Sequence, residues 1–202
     1  MLICFDNEEQ PLCRFKEEKI RYVVTDATDG ASLLRDFFDE AEVLLQVPES
    51  DVSTTFLVAP EYKEGIEAFY QVYEWLDDEL EGARPSETED ENSEDVDALV
   101  EAAEDPPSLE EFVGNRIQPA FFHPDWTFAE LPEESALHFE KRAPFPVINL
   151  LRRAQLDRVV SEGLERGVIV NKMIADHNAA ALEHEGFSQL EALFEGLKRT
   201  SR

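Results

Sequence analysis

The stretch FFHPDWTFAE, residues 121–130, places side chains that could do chemistry at the end of an apolar run. His123 can exchange a proton near neutral pH, and Pro124 restricts the backbone before it, which presets where the histidine ring points. Asp125 could share that face or cap the turn. We therefore take His123 as a candidate general acid or base with Asp125 beside it. The alternative is a strand-to-loop corner with a structural histidine.

Lys141 and Arg142, in the run KRAPFP, form a second candidate site. The pattern predicts that a helix begins near Pro146, and a helix start with a neighbouring guanidinium is a ready anion pocket. Trp126 and Phe145 could wall this pocket and exclude water, which would strengthen the field of Arg142. The alternative for Arg142 is a salt bridge to one of the many carboxylates of the chain.

Cys13 is a candidate nucleophile if His123 or Arg142 stabilises its thiolate, although a single cysteine is more often a small buried apolar residue. A metal site needs three or more converging ligands, and the chain has no ligand spacing such as HExxH. We predict no metal site, and the sequence leaves any cofactor open. Motifs of nucleotide-binding loops and of serine hydrolases are missing as well.

The charge of the chain is strongly negative, at −28, with 46 acidic residues against 18 basic ones. A protein that binds nucleic acids or anionic membrane surfaces needs a patch of basic residues, so neither is an expected partner. Residues 84–111 contain 12 acidic residues and one arginine, and the rest of the chain is also acidic. Such a surface fits a protein that stays soluble in high salt; the alternative is an ordinary acidic cytosolic protein.

The location that we expect is the cytoplasm. The N-terminal residues MLICFDNEEQ have no basic leader, and no apolar run approaches the roughly 20 residues of a membrane helix. Two cysteines make a disulfide framework unexpected, which favours a reducing compartment.

Hydrophobic periodicity predicts alternating strands and helices. The strands are predicted at 19–27, 53–60 and 116–122, and the helices between them at 32–47 and 65–80. Thr28 or Asp29 could cap the first helix, and Pro119 argues for an edge or a bulge in the third strand. Further helices are predicted at 146–160, at 168–186 with Gly186 at the end, and at 188–199.

These elements predict an α/β (α+β) fold: a ferredoxin-like β-α-β-α-β core with two or three additional C-terminal helices. Residues 1–202 are expected to form a single domain. The acidic segment 84–112 is predicted to be an insertion, and its low hydrophobicity and like charges predict disorder in its first half. Residues 96–104 are predicted to form a short helix.

Several motifs together resemble one protein family. They are RYVVTDAT, TTFLVAPE, FFHPDWTFA and KRAPFPVINLLRRAQLDRVV, followed by a helix that ends in EHEG. In this combination the chain resembles the domain-of-unknown-function 1415 family over about residues 11–186, interrupted by 84–112. The family pattern has proline where LCRF, residues 12–15, has Arg14, and this departure puts the role of Cys13 in doubt. The resemblance implies no reaction.

Two functions follow from these features as hypotheses. The first is a small-molecule enzyme that binds an anionic ligand near His123 and Arg142. The second is a non-catalytic binding or regulatory module whose acidic segment docks a basic protein partner.

Overall fold

The computed structural model describes residues 17–82, 113–114 and 116–200. These residues contain four strands, five helices and two short 3-10 turns. In chain order they are the first turn Glu17–Lys19, β1 (Ile20–Val24), α1 (Gly30–Gln46), β2 (Thr54–Val58), α2 (Gly65–Gly82), β3 (Ile117–Phe122), the second turn Ala136–Glu140, β4 (Val147–Arg152), α3 (Arg153–Glu165), α4 (Val170–Glu185) and α5 (Phe187–Thr200).

The four strands form one mixed sheet in the order β1-β2-β4-β3. β1 and β2 are parallel neighbours, whereas β4 runs antiparallel to both β2 and β3. The prediction of a mixed α/β protein is confirmed, but the ferredoxin-like order is not. β4 follows β3 in the chain but lies between β2 and β3 in the sheet. The strands β2 and β3 of the β2-α2-β3 unit are therefore parallel to each other and separated by one strand.

Local signals in the sequence place three features correctly. Asp29 caps α1, where its Oδ1 accepts a hydrogen bond of 2.8 Å from the backbone N–H of Ser32. Gly186 ends α4 with a φ of +77°, a backbone conformation that residues with a Cβ atom rarely adopt. Pro119 lies in β3, which is an edge strand, so its missing N–H costs the sheet no hydrogen bond.

The prediction of a helix that begins near Pro146 is wrong for the first half of that segment. Residues 147–152 form β4, and the helix begins only at Arg153. Val147 to Leu151 are all buried, because β4 is an inner strand whose two faces are both covered. A short continuous apolar run fits either a buried strand or a buried helix segment, so its spacing alone could not separate the two.

The main core lies between α1, α2 and one face of the sheet. Phe37 of α1 and Phe69 of α2 are fully buried there against sheet residues such as Leu57 and Ile148. The opposite face carries the register pair formed by Gln118 and Leu151, which line a cavity under α3 and α4. Helices therefore lie on both sides of the sheet.

Several predictions fall outside the described residues: the role of Cys13, most of the acidic segment 84–112, and the short helix at 96–104. None of the helices in the described part of the chain has both the length and the apolar character needed to cross a membrane.

Candidate functional site

The site is built on the loop that connects β3 to β4, residues 123–146, and a buried histidine holds this loop in shape. His138 is 1% exposed. Its Nδ1 accepts a hydrogen bond of 3.2 Å from the backbone N–H of Phe128. Its Nε2 therefore carries the proton and donates to the carbonyl oxygen of Pro132 over 2.9 Å. Both ring nitrogens are used internally, so His138 has a structural role. Sequence reasoning did not single it out, and the only signal was a histidine flanked by Leu137 and Phe139.

His123 directly follows β3, as predicted, and its ring is buried against α2. The ring centroid lies 5.3 Å from that of Phe69, and the backbone N–H of His123 donates to the carbonyl oxygen of Lys141 over 3.0 Å. Nδ1 accepts a hydrogen bond of 3.1 Å from the backbone N–H of Asp125. Nδ1 is thus unprotonated, and the neutral ring carries its proton on Nε2.

Burial lowers the pKa of His123 below its ordinary value. The carboxylates of Asp125 and Glu67 act in the opposite direction, and the positive charge of Lys198 adds to the lowering. The ring is therefore neutral at neutral pH, and it can donate a hydrogen bond through Nε2 without carrying a charge.

Asp125 is brought next to His123, but its carboxylate does not orient the ring. Oδ2 lies 4.0 Å from Nδ1, and the side chain is 71% exposed. That separation is too long for a hydrogen bond. The backbone N–H of Asp125 makes the contact with the ring instead. The pair is therefore a corner in which the histidine ring accepts the backbone hydrogen bond and the aspartate carboxylate faces solvent.

Arg142 is anchored at the other end of the loop. Its Nε–H donates to the carbonyl oxygen of Trp126 over 2.9 Å, and its guanidinium carbon lies 4.9 Å from the centroid of the Phe139 ring. Phe139 packs in turn on Phe187 and Phe194 of α5, with centroid separations of 5.7 and 5.8 Å. No helix begins near Pro146, because the chain continues there into β4. The predicted anion pocket at a helix start is therefore not formed.

Two lysines accompany Arg142, and each is placed over a phenylalanine ring. Lys141 Nζ lies 5.2 Å from the ring centroid of Phe122, and burial lowers the pKa of Lys141 while the neighbouring Glu140 opposes this effect. Lys198 Nζ lies 4.6 Å from the ring centroid of Phe194. We call Lys141, Arg142 and Lys198 the cationic cluster. Sequence reasoning missed Lys198, because α5 brings it to the loop from far along the chain.

The two remaining candidates of the predicted pocket occupy different positions. Trp126 is half-buried against the main core, with its ring 6.1 Å from that of Tyr70, and only its backbone carbonyl contacts Arg142. Phe145 is half-buried just before β4. The rings that support the cations are instead Phe122, Phe139 and Phe194.

His123 and Arg142 are joined through the loop backbone rather than by direct contact of their side chains. The His123 ring packs on α2, whereas the Arg142 guanidinium lies over Phe139 and so faces α5. The charge of Lys198 makes the smallest contribution to the lowered pKa of His123, so it is only a weak electrostatic link between the two regions. Among residues 17–82 and 116–200, no three His, Cys, Asp or Glu side chains gather into a group that could hold a metal ion.

A mixed four-stranded sheet with helices on both faces, and a long β3–β4 loop that bears a neutral histidine, Lys141 and Arg142, define a small α/β protein with a candidate site on this loop. The chain belongs to the DUF1415 family. The family model, described as a protein of unknown function, matches residues 11–90 and 86–192. The two matches meet inside the acidic segment, and the predicted resemblance is confirmed. Comparison with curated proteins and with solved structures gives no match.

Proposed function

We propose that this protein binds a small anionic molecule at the cationic cluster. The observation that carries the proposal is the arrangement of Lys141 and Arg142, two adjacent cations that each lie over an aromatic ring. The ion pairs found among the described residues include neither of them. In a chain with 46 acidic and 18 basic residues, two neighbouring cations outside the ion pairs of the described residues are unexpected.

The surroundings of the cluster favour an anion for two reasons. The rings behind Lys141 and Arg142 displace water, and a charge interaction is stronger where water is excluded. Burial also lowers the pKa of Lys141, so a bound anion would offset this effect by stabilising the charged form of the lysine. The Nε–H bond of Arg142 to Trp126 fixes the guanidinium plane, which suits a carboxylate or phosphate that accepts two hydrogen bonds.

His123 supplies a hydrogen-bond donor rather than an acid–base group in this proposal, and its ring faces α2 instead of the Arg142 guanidinium. The neutral ring has Nδ1 held by a backbone N–H, so the group that remains for a ligand is Nε2–H. A lowered pKa keeps that ring uncharged, so it can donate a hydrogen bond, but not its proton, to a negatively charged oxygen. His123→Asn tests this role separately from binding, because the Asn oxygen can take the place of Nδ1 while the Nε2–H is lost.

Calorimetric titration with inorganic phosphate and phenyl phosphate at low ionic strength tests the proposal. We expect Arg142→Met to weaken binding about tenfold or more, since a hydrogen bond to a charged group contributes roughly 1.5–3 kcal/mol. Arg166→Met is the matched control, because Arg166 is an exposed arginine 4.0 Å from Glu162 on α3. Lys198→Met is a second variant, and it leaves the hydrogen bond from Arg142 to the carbonyl oxygen of Trp126 intact. Equal affinities in the wild type and all three variants would refute the proposal.

Docking of a basic protein through residues 84–111 stays a prediction, because that segment lies outside the described residues. Deletion of 84–105 separates the two functions. The anion site should keep its phosphate affinity in the deletion variant, whereas a docking module would lose its partner.

A further inference from the structure

A second concave region lies on the other side of the molecule from the main core. It is a cavity of about 450 Å³ between the sheet and the helices α3 and α4. This volume is within the range of sites for small molecules, roughly 300–1,000 Å³. Among the described residues that line it, none belongs to the cationic cluster, so it is distinct from the anion site.

The walls of the cavity are apolar and come from three elements. Leu151 of β4 forms part of the sheet side, Val160 of α3 contributes a second wall, and Ile174 of α4 a third. The two helices are held at a fixed spacing, because a Cβ at Gly163 would lie only 2.2 Å from Val170 Cγ2. Val170 itself lines the cavity. Close packing at this point keeps α3 and α4 in one relative position, so the space has a defined shape.

The polar residues that line the cavity are Asn171, a hydrogen-bonded pair and two carboxylates. Arg153 donates from Nη2 to Gln118 Oε1 over 2.9 Å, so these two side chains already hold each other. Glu140 and Asp157 also line the cavity. In the described part of the chain, the ion pairs include neither of these carboxylates. Asn178 Nδ2 donates to Glu140 Oε1 over a long 3.4 Å.

We propose that this cavity binds a small amine with an apolar body. Its ammonium group would lie between Glu140 and Asp157, and its hydrocarbon part would pack on Leu151, Val160 and Ile174. The charge fits, since the two carboxylates take part in none of the ion pairs of the described residues and a chain with a charge of −28 attracts cations. The apolar walls supply the larger part of the affinity, because removal of hydrocarbon from water is the main driving force in such sites.

Three probes that share one hydrocarbon body test the proposal: phenylpropylamine, phenylpropanol and phenylpropanoate, each titrated into the full chain by calorimetry. The amine should bind most tightly and the carboxylate most weakly. Asp157→Asn should weaken binding of the amine about three- to fivefold, as expected for a partly exposed ion pair, and leave the alcohol unchanged. Glu162→Gln is the matched control, because it removes an exposed charge from the same helix outside the lining.

A filling substitution tests the cavity itself. Ile174→Trp should abolish binding of the amine and of the alcohol, whereas Leu193→Trp, at a position of α5 that is 62% exposed, should not. Circular dichroism verifies that both variants fold. If Ile174→Trp does not fold, the Asp157→Asn comparison decides. Failure of all three probes to bind would overturn the inference, and so would equal affinities of amine and carboxylate in wild type and Asp157→Asn. Arg142→Met should leave amine binding unchanged, which separates this inference from the anion site.

Discussion

Replacement of Arg152 by methionine should destabilise the fold more than any comparable change of a surface cation. Arg152 is the last residue of β4, and its guanidinium reaches across the sheet to the end of α1. Nη2 donates to the carbonyl oxygens of Leu44 and Val47 over 2.5 and 2.6 Å, and Nε donates to that of Val52 over 3.2 Å. The last carbonyls of a helix have no partner within the helix, so Arg152 satisfies groups that would otherwise need water.

The size of the effect follows from these contacts. A hydrogen bond to a charged group contributes about 1.5–3 kcal/mol, and a cation at a helix C-terminus about 0.3–1 kcal/mol. Burial of Arg152 opposes these gains, as the lowered pKa of its guanidinium indicates. Because hydrogen bonds to three carbonyl oxygens outweigh partial burial, we expect a net loss of about 3 kcal/mol in the free energy of unfolding. For a chain of this size the melting temperature should fall by roughly 6–12 °C.

Thermal and urea unfolding of Arg152→Met, followed by circular dichroism, measures this loss. Arg158→Met is the matched control, because Arg158 is half-exposed and its ion pair among the described residues is with the Glu49 side chain. Its removal should change stability by less than about 1 kcal/mol. Arg152→Lys should recover only part of the loss, since one ammonium group cannot reproduce the planar fork of donors. If Arg152→Met and Arg158→Met have the same small effect, the reasoning about the carbonyls of α1 is refuted.

Three further predictions concern pH, salt and the loop. His123 has a folded-state pKa below the ordinary value of about 6.5, so its contribution to stability is complete above that pH and is lost as pH falls through the folded pKa. The free energy of unfolding of wild type relative to His123→Asn should therefore decrease between pH 7 and 5 in urea titrations, and parallel curves would contradict this. The melting temperature should rise from low salt to molar KCl, because screening weakens repulsion among the carboxylates, and an unchanged value would show that repulsion is not limiting. His138→Leu should lower the free energy of unfolding by about 2–3 kcal/mol in urea unfolding, because it leaves the N–H of Phe128 and the carbonyl of Pro132 without these hydrogen-bond partners. A loss below about 1 kcal/mol would show that His138 does not hold the loop in shape.

The sequence by itself determined the local elements and the family. Helical spacing and a capping aspartate set α1, a glycine set the end of α4, and a proline indicated that β3 is an edge strand. These signals act through the backbone of neighbouring residues, so they can be recognised without the rest of the chain. His123 was also placed correctly at the end of its strand, because the strand boundary and Pro124 are both local features.

Only the tertiary structure decided the state of residues 147–152 and the composition of the candidate sites. A run such as VINLL is apolar enough for a strand or a helix, and it became β4 because β2 and β3 offered unpaired backbone groups on both sides. That insertion moved the helix start to Arg153, away from Arg142. Lys198 was brought to the loop because Phe194, the ring under its ammonium group, packs on Phe139, and sequence distance carries no information about such a contact between side chains.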